Sequence, residues 1–240
     1  MKLQADAIIF DKDGTLLDFD AYWVTVSEKA LSKLLSELGR TDIPLEELLA
    51  ALGVRDGVTD FDSVLCKGTY EEMGGVVHEV LVRHGCTLPR AETDRMVLEY
   101  YSAFKEAGAF RPTCTGLREA LAALKERGIR LAVVTTDTVE VARYCLERLE
   151  LLEFFDAVYG DDGKTPTKPD PYAAEALCAD FGVKKERVVM VGDTMTDLRF
   201  ARNAGILAVS VAKEPRHRAF LQPHADLVIR EIAELPDLMM

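Results

Sequence analysis

The chain has 240 residues, enough for one full hydrophobic core and a smaller inserted or appended module. At 48% hydrophobic and 29% charged residues its composition excludes a fibrous, low-complexity or disordered protein. The formal charge of -12 excludes an extended nucleic-acid surface, which needs clustered Lys and Arg, but is compatible with one small phosphate held by local cations or a metal.

In chain order, short apolar runs rich in Val and Ile occur at Ala7 to Phe10, Leu131 to Val134, Ala157 to Tyr159, Val188 to Val191, Leu207 to Val211 and Leu227 to Ile229. They are too short for helices and do not alternate with polar residues, which suits strands buried on both faces of a parallel sheet. Between Asp20 and Gly108 the pattern is helical instead, at Tyr22 to Leu38, Leu45 to Leu52, Tyr70 to His84 and Ala91 to Glu106, with no convincing strand. From Gly116 onward amphipathic segments separate the strands: Gly116 to Arg127, stopped by Gly128, then Val139 to Leu149, Pro171 to Phe181 and Met195 to Asn203. The expected architecture is α/β: a Rossmann-like open parallel sheet formed by residues 1–19 and 109–240, with an all-helical module of residues 20–108 inserted after the first strand.

Five cysteines, Cys66, Cys86, Cys114, Cys145 and Cys178, are scattered without a CxxC pair and read as reduced thiols. The N-terminus lacks the apolar run of a signal peptide, and no stretch has the length of a membrane span. A cytoplasmic protein without a membrane or nucleic-acid partner is the expectation.

Ligands of open parallel sheets collect beyond the carboxyl ends of the strands, so the residues that follow each strand are the informative ones. Asp11-Lys12-Asp13-Gly14-Thr15 follows the first. A carboxylate at Asp11 has the chemistry of a covalent nucleophile toward phosphorus, and Asp13 that of an acid protonating a departing alkoxide and later a base for water. Gly14 permits the turn that aims both at one place. Taken alone, the segment also reads as two solvated acids in a turn. Thr135 and Thr136 follow the second strand, where a hydroxyl and free amides hold a phosphoryl oxygen or simply cap a helix. Lys168, in the proline-stiffened Thr165-Pro166-Thr167-Lys168-Pro169-Asp170-Pro171, supplies a cation that offsets phosphate charge. Asp193 and Asp197 lie four apart across the strand-to-helix joint of Val191-Gly192-Asp193-Thr194-Met195-Thr196-Asp197, where carboxylate oxygens suit Mg²⁺ and equally suit a helix cap.

In this order the four segments resemble the motifs of the haloacid dehalogenase-like hydrolase superfamily, and in particular its phosphoglycolate-phosphatase-like branch with a helical C1-type cap. The resemblance runs from Ala7 to at least Gly205, and the combination is far more specific than any one motif. It implies a Rossmann-like core with a helical cap and Mg²⁺ as cofactor, held by Asp11, Asp13 and Asp193. It further implies that Asp11 is the nucleophile, Asp13 the general acid and base, Thr135 a phosphoryl donor with Thr136 beside it, and Lys168 the charge-balancing cation. Gly14 and Thr15 support the turn, and Asp197 supports the metal or positions Lys168.

The second aspartate argues against dehalogenases and phosphonatases of the same superfamily, which lack it. Lys12 departs from the apolar residue common in the sugar-phosphate branches, and its backbone is expected to matter more than its side chain. The implied activity is hydrolysis of a small phosphorylated metabolite, with phosphoglycolate as one candidate substrate and Arg55, Lys67 and Tyr70 as candidate readers of its organic part. A phosphomutase on the same scaffold and a non-catalytic phosphate-binding or regulatory protein are the competing readings.

Overall fold

The computed structural model describes residues 2–240, which divide into two compact units: residues 2–18 with Phe110–Met240, and Phe19–Ala109. The first unit is built on a six-stranded parallel sheet. Its strands are β1 (Ala7–Phe10), β2 (Arg130–Thr138), β3 (Ala157–Asp161), β4 (Val188–Gly192), β5 (Leu207–Val211) and β6 (Leu227–Ile229), in the order β3-β2-β1-β4-β5-β6. Phe10 is in register with Val133 of β2 and Val191 of β4, so β1 is the central strand and its carboxyl end opens between two neighbours.

The continuous apolar runs are explained by burial on both faces. Ile8, Phe10, Leu131, Val133, Val189 and Val191 pack on one face with Leu117, Leu121 and Leu124 of the helix Leu117–Glu126. The alternate residues Ala7, Ile9, Ala132, Val134, Val188 and Met190 pack on the other with Leu177 of Tyr172–Phe181 and Leu198, Phe200 and Ala201 of Met195–Ala204. Period-2 side-chain alternation thus serves two cores at once, which is why neither face needs polar residues.

Two details differ from the sequence expectation. β2 does not stop at Val134 but continues through Thr135, Thr136 and Asp137 to Thr138, with a register shift against β3 between Val134 and Thr138. The run looked shorter because its outer half is polar. Thr138 then caps the helix Val139–Arg148, its hydroxyl accepting from the Val141 N–H at 3.3 Å.

The second unit is helical, with Thr25–Glu37, Leu45–Leu52, Tyr70–Arg83 and Arg90–Phe104 as its main elements. Thr69 and Glu72 form a reciprocal capping box that fixes the start of Tyr70–Arg83. The buried Tyr101 hydroxyl donates to Ser27 at 2.8 Å and joins the last helix to the first. A two-stranded hairpin, Val54–Arg55 with Val58–Thr59, was not foreseen, because two-residue strands leave no readable period. No helix among the described residues is long and apolar enough to cross a membrane.

Gly74 lies inside Tyr70–Arg83, where glycine is a poor helix former. A Cβ at this position would stand 2.2 Å from Asp94 Oδ1 and 2.9 Å from the Asp94 Cα of the facing helix, so the glycine sets how closely the two helices approach. Gly74→Ala is therefore expected to destabilise by about 1 to 3 kcal/mol, opposite in sign to helix propensity, as read from the midpoint of urea unfolding.

Candidate active site

The turn after β1 is held by the backbone. The Asp11 N–H donates to the Val191 carbonyl of β4 at 2.9 Å, and the N–H groups of Leu16 and Leu17 both donate to the Lys12 carbonyl at 2.9 Å. Gly14 takes a φ of +77°, and a Cβ there would stand 2.1 Å from Asp193 Oδ2, so only glycine lets this turn approach the end of β4. Thr15, fully buried, donates its hydroxyl to Asp193 Oδ1 at 2.7 Å, while its carbonyl accepts from the Thr113 hydroxyl at 2.6 Å.

Beyond β4, Thr194 caps Met195–Ala204 in a capping box with Asp197. The Thr194 N–H and hydroxyl donate to Asp197 Oδ2 at 3.0 and 2.6 Å, and the Asp197 N–H returns to the hydroxyl at 3.3 Å. The box turns Asp197 inward, where Oδ1 accepts from Lys168 Nζ at 2.6 Å. Lys168 also donates to Asp11 Oδ1 at 2.5 Å. Its loop is tied to the same helix through Asn203, which donates to the Pro169 carbonyl at 2.8 Å. One ammonium thus bridges two carboxylates from different strand ends.

Burial drives Asp11 upward against the opposing pull of Lys168, and the nearby charges of Asp197 and Asp13 add to it, leaving its carboxyl at about 7. Desolvation, then Asp11 and Asp197, push Asp193 well above the carboxylate range, with Thr15 opposing. Burial works against the Lys168 charge, yet Asp11 and Asp197 outweigh it and hold the ammonium above its ordinary value. The site therefore gathers more carboxyl groups than its one cation can keep ionised.

Asp11, Asp193 and Asp197 each bring a carboxylate oxygen within 4.8 Å of the others. Both Asp197 oxygens already serve Lys168 and Thr194, which leaves Asp11 and Asp193 as the carboxylates with donor capacity to spare. Two hard oxygen donors in an over-acidic site fit Mg²⁺, which takes few protein ligands and keeps water and phosphate oxygens.

Of the other residues singled out in the sequence, Thr135 is buried at the end of the apolar half of β2, its Oγ accepting from the Asp137 N–H at 3.2 Å. Thr136 is exposed on the same strand. The Asp13 carboxylate lies outside the triad of acids and pairs with Lys12 Nζ at 2.5 Å. In the helical unit, Arg55 is exposed on the hairpin, Lys67 pairs with Asp62 at 2.5 Å, and Tyr70 packs on Tyr101 with ring centroids 5.9 Å apart. Sequence reasoning missed Lys12 and Asp137 as side chains. Lys12 is fully buried, and its ammonium is 2.9 Å from Asp137 Oδ2. The available signal was a lysine two residues past a buried strand, which cannot go inside without a counter-charge.

A parallel α/β sheet whose strand ends gather an aspartate pair, a lysine and a metal-competent acid defines a class of hydrolase. The model of the haloacid dehalogenase-like hydrolase family matches residues 5–205, and the chain belongs to that family. It is 29% identical over 203 residues to a phosphoglycolate phosphatase of Nitrosospira multiformis, covering 85% of this chain and 81% of the relative. To the N-acetylmuramic acid 6-phosphate phosphatase of Pseudomonas aeruginosa it is 25% identical over 242 residues, covering 99% and 96%. A solved structure from Lactobacillus delbrueckii subsp. bulgaricus, provisionally named a phosphoglycolate phosphatase, superposes with a TM-score of 0.70 at 25% identity over 98% of both chains.

Thr15→Val keeps the side-chain shape but removes the donor to a buried carboxyl oxygen, so a loss of about 1 to 3 kcal/mol is expected in urea unfolding, with Thr15→Ser close to the parent. Equal losses for both variants would show that the methyl group, not the hydrogen bond, holds the turn.

Proposed function

We propose that this hydrolase is a Mg²⁺-dependent phosphatase that cleaves a small phosphate monoester through an aspartyl-phosphate on Asp11. The observation that carries the reading is the convergence of Asp11, Asp193, Asp197 and Lys168, from three separate segments, at the carboxyl end of the central strand. A structural ion pair alone does not require a third carboxylate beside it. The names of the phosphatase relatives agree with the chemistry.

When bound by Asp11 and Asp193, Mg²⁺ would supply charge neutralisation for the phosphate and for the acids around it. Asp11 attacks phosphorus in line with the departing oxygen. Lys168 holds one oxygen of that carboxylate, restricting it to a single rotamer, and its charge is available to the phosphate oxygens as they approach. Asp197 keeps Lys168 in place. Thr135 donates to a phosphoryl oxygen at the end of β2, with Thr136 next to it. Asp13 passes a proton to the leaving alkoxide as the P–O bond breaks, then takes one from the water that hydrolyses the aspartyl-phosphate. Gly14 and Thr15 fix the approach of the turn to Asp193.

Phosphoglycolate is the first substrate to try. Phosphate release is measured over a panel of phosphomonoesters, with Mg²⁺ and with chelator, for the parent and for Asp11→Asn. Turnover of at least one metabolite that stops on chelation, resumes with Mg²⁺ and falls by several orders of magnitude in Asp11→Asn is the expected result. Full activity in Asp11→Asn would overturn the mechanism. Formation of a sugar-phosphate isomer without free phosphate would instead identify a mutase on this scaffold.

A further inference from the structure

Lys12 is the least expected charge in the molecule. It is the second residue after the buried strand β1, and its side chain has no access to solvent. Its ammonium lies 2.5 Å from Asp13 Oδ2 and 2.9 Å from Asp137 Oδ2. Burial opposes the charge, but Asp13 and then Asp137 prevail and hold the group above its ordinary value, so it stays an ammonium. Burying it costs several kcal/mol before the pairing is counted, and an apolar side chain would fill the same space without that penalty.

The two partners are the argument for a role beyond packing. Asp137 lies near the end of β2, two residues past Thr135, and its N–H donates to the Thr135 hydroxyl. Asp13 is the residue assigned to proton transfer. The backbone of Lys12 is itself pinned, since its carbonyl accepts from Leu16 and Leu17. A rigid main chain, a fixed ammonium and a second carboxylate from the neighbouring strand leave the Asp13 carboxyl little freedom to turn. The ammonium lies against Oδ2, so the Lys12 charge fixes which oxygen of the Asp13 carboxyl faces it.

We propose that Lys12, backed by Asp137, is a positioning residue that orients Asp13 for proton transfer to the leaving oxygen. The inference rests on the reading of Asp13 as general acid. In the step concerned the P–O bond breaks, the electron pair goes to the departing oxygen, and the proton on Asp13 forms the new O–H bond. The Asp13 carboxylate that remains stays paired with Lys12.

Leaving-group dependence of kcat/KM tests this. p-Nitrophenolate leaves with little need of a proton, whereas an alkoxide needs one, so a displaced acid harms alkyl phosphates selectively. Asp13→Asn is the reference, expected to lose about 10²- to 10⁴-fold on the best alkyl phosphate and far less on p-nitrophenyl phosphate. Lys12→Met is expected to reproduce the asymmetry, with a loss on the alkyl ester at least about ten times that on the aryl ester. The double variant Lys12→Met/Asp137→Asn removes the buried ammonium together with its half-exposed partner, carries the same expectation, and serves where the single variant does not fold. An equal loss on both esters, or none, in a folded Lys12 variant while Asp13→Asn shows the asymmetry would reduce Lys12 to a structural charge. A lack of asymmetry in Asp13→Asn itself would remove the general-acid reading, and this inference with it.

Discussion

Lys168 sits buried between Asp11 and Asp197 and is, among the described residues, the one cation in contact with both carboxyl groups. The energetics of such a bridge are unfavourable as stabilisation, because desolvating three ionised groups costs several kcal/mol per ion and an apolar cluster would pack at less expense. What the bridge provides is geometry. An ammonium with two fixed partners orients Asp11 and links the loop after β3 to the helix after β4, so displacement of one is felt by both. The capping box at Thr194 has a similar double role, completing a helix start and aiming the carboxylate that holds Lys168.

The unspent negative charge of the site follows from the same arrangement. One lysine offsets one carboxylate's worth of charge, while Asp11, Asp193 and Asp197 lie close enough to repel one another. That excess makes a divalent cation favourable there, and the low-dielectric setting that raises the acids also strengthens their hold on it. Lys12, Asp13 and Asp137 form a second charged cluster on the same turn, two carboxylates about one ammonium. The end of the sheet is therefore organised as two buried cations, each clamped by a pair of acids.

The six core strands and their helices were legible in the sequence because burial on both faces writes an uninterrupted apolar run, and glycines and prolines punctuate it. Asp11, Lys168, Asp193 and Asp197 were legible as a group because each occurs at a joint where a strand gives way to a loop or helix. What was not legible depended on long-range pairing. The continuation of β2 through Thr135, Thr136 and Asp137 carries polar residues and looks like a loop until β3 is placed beside it. The Lys12 side chain was passed over for its backbone, since its second partner, Asp137, is 125 positions away and no local pattern connects them. The hairpin at Val54 to Thr59 is too short for any period to announce it.

The order in which the chain is made gives the central strand an unusual history. β1 is synthesised well before its neighbours: both strands that flank it, β2 and β4, begin only at Arg130 and Val188. On the ribosome the segment carrying Asp11 emerges with nothing to pair with, while Phe19–Ala109 can collapse on contacts among its own helices. The strand that leads into Asp11 is an apolar tether on the amino side of a nascent helical domain. It enters the sheet only once the strands that flank it have been made.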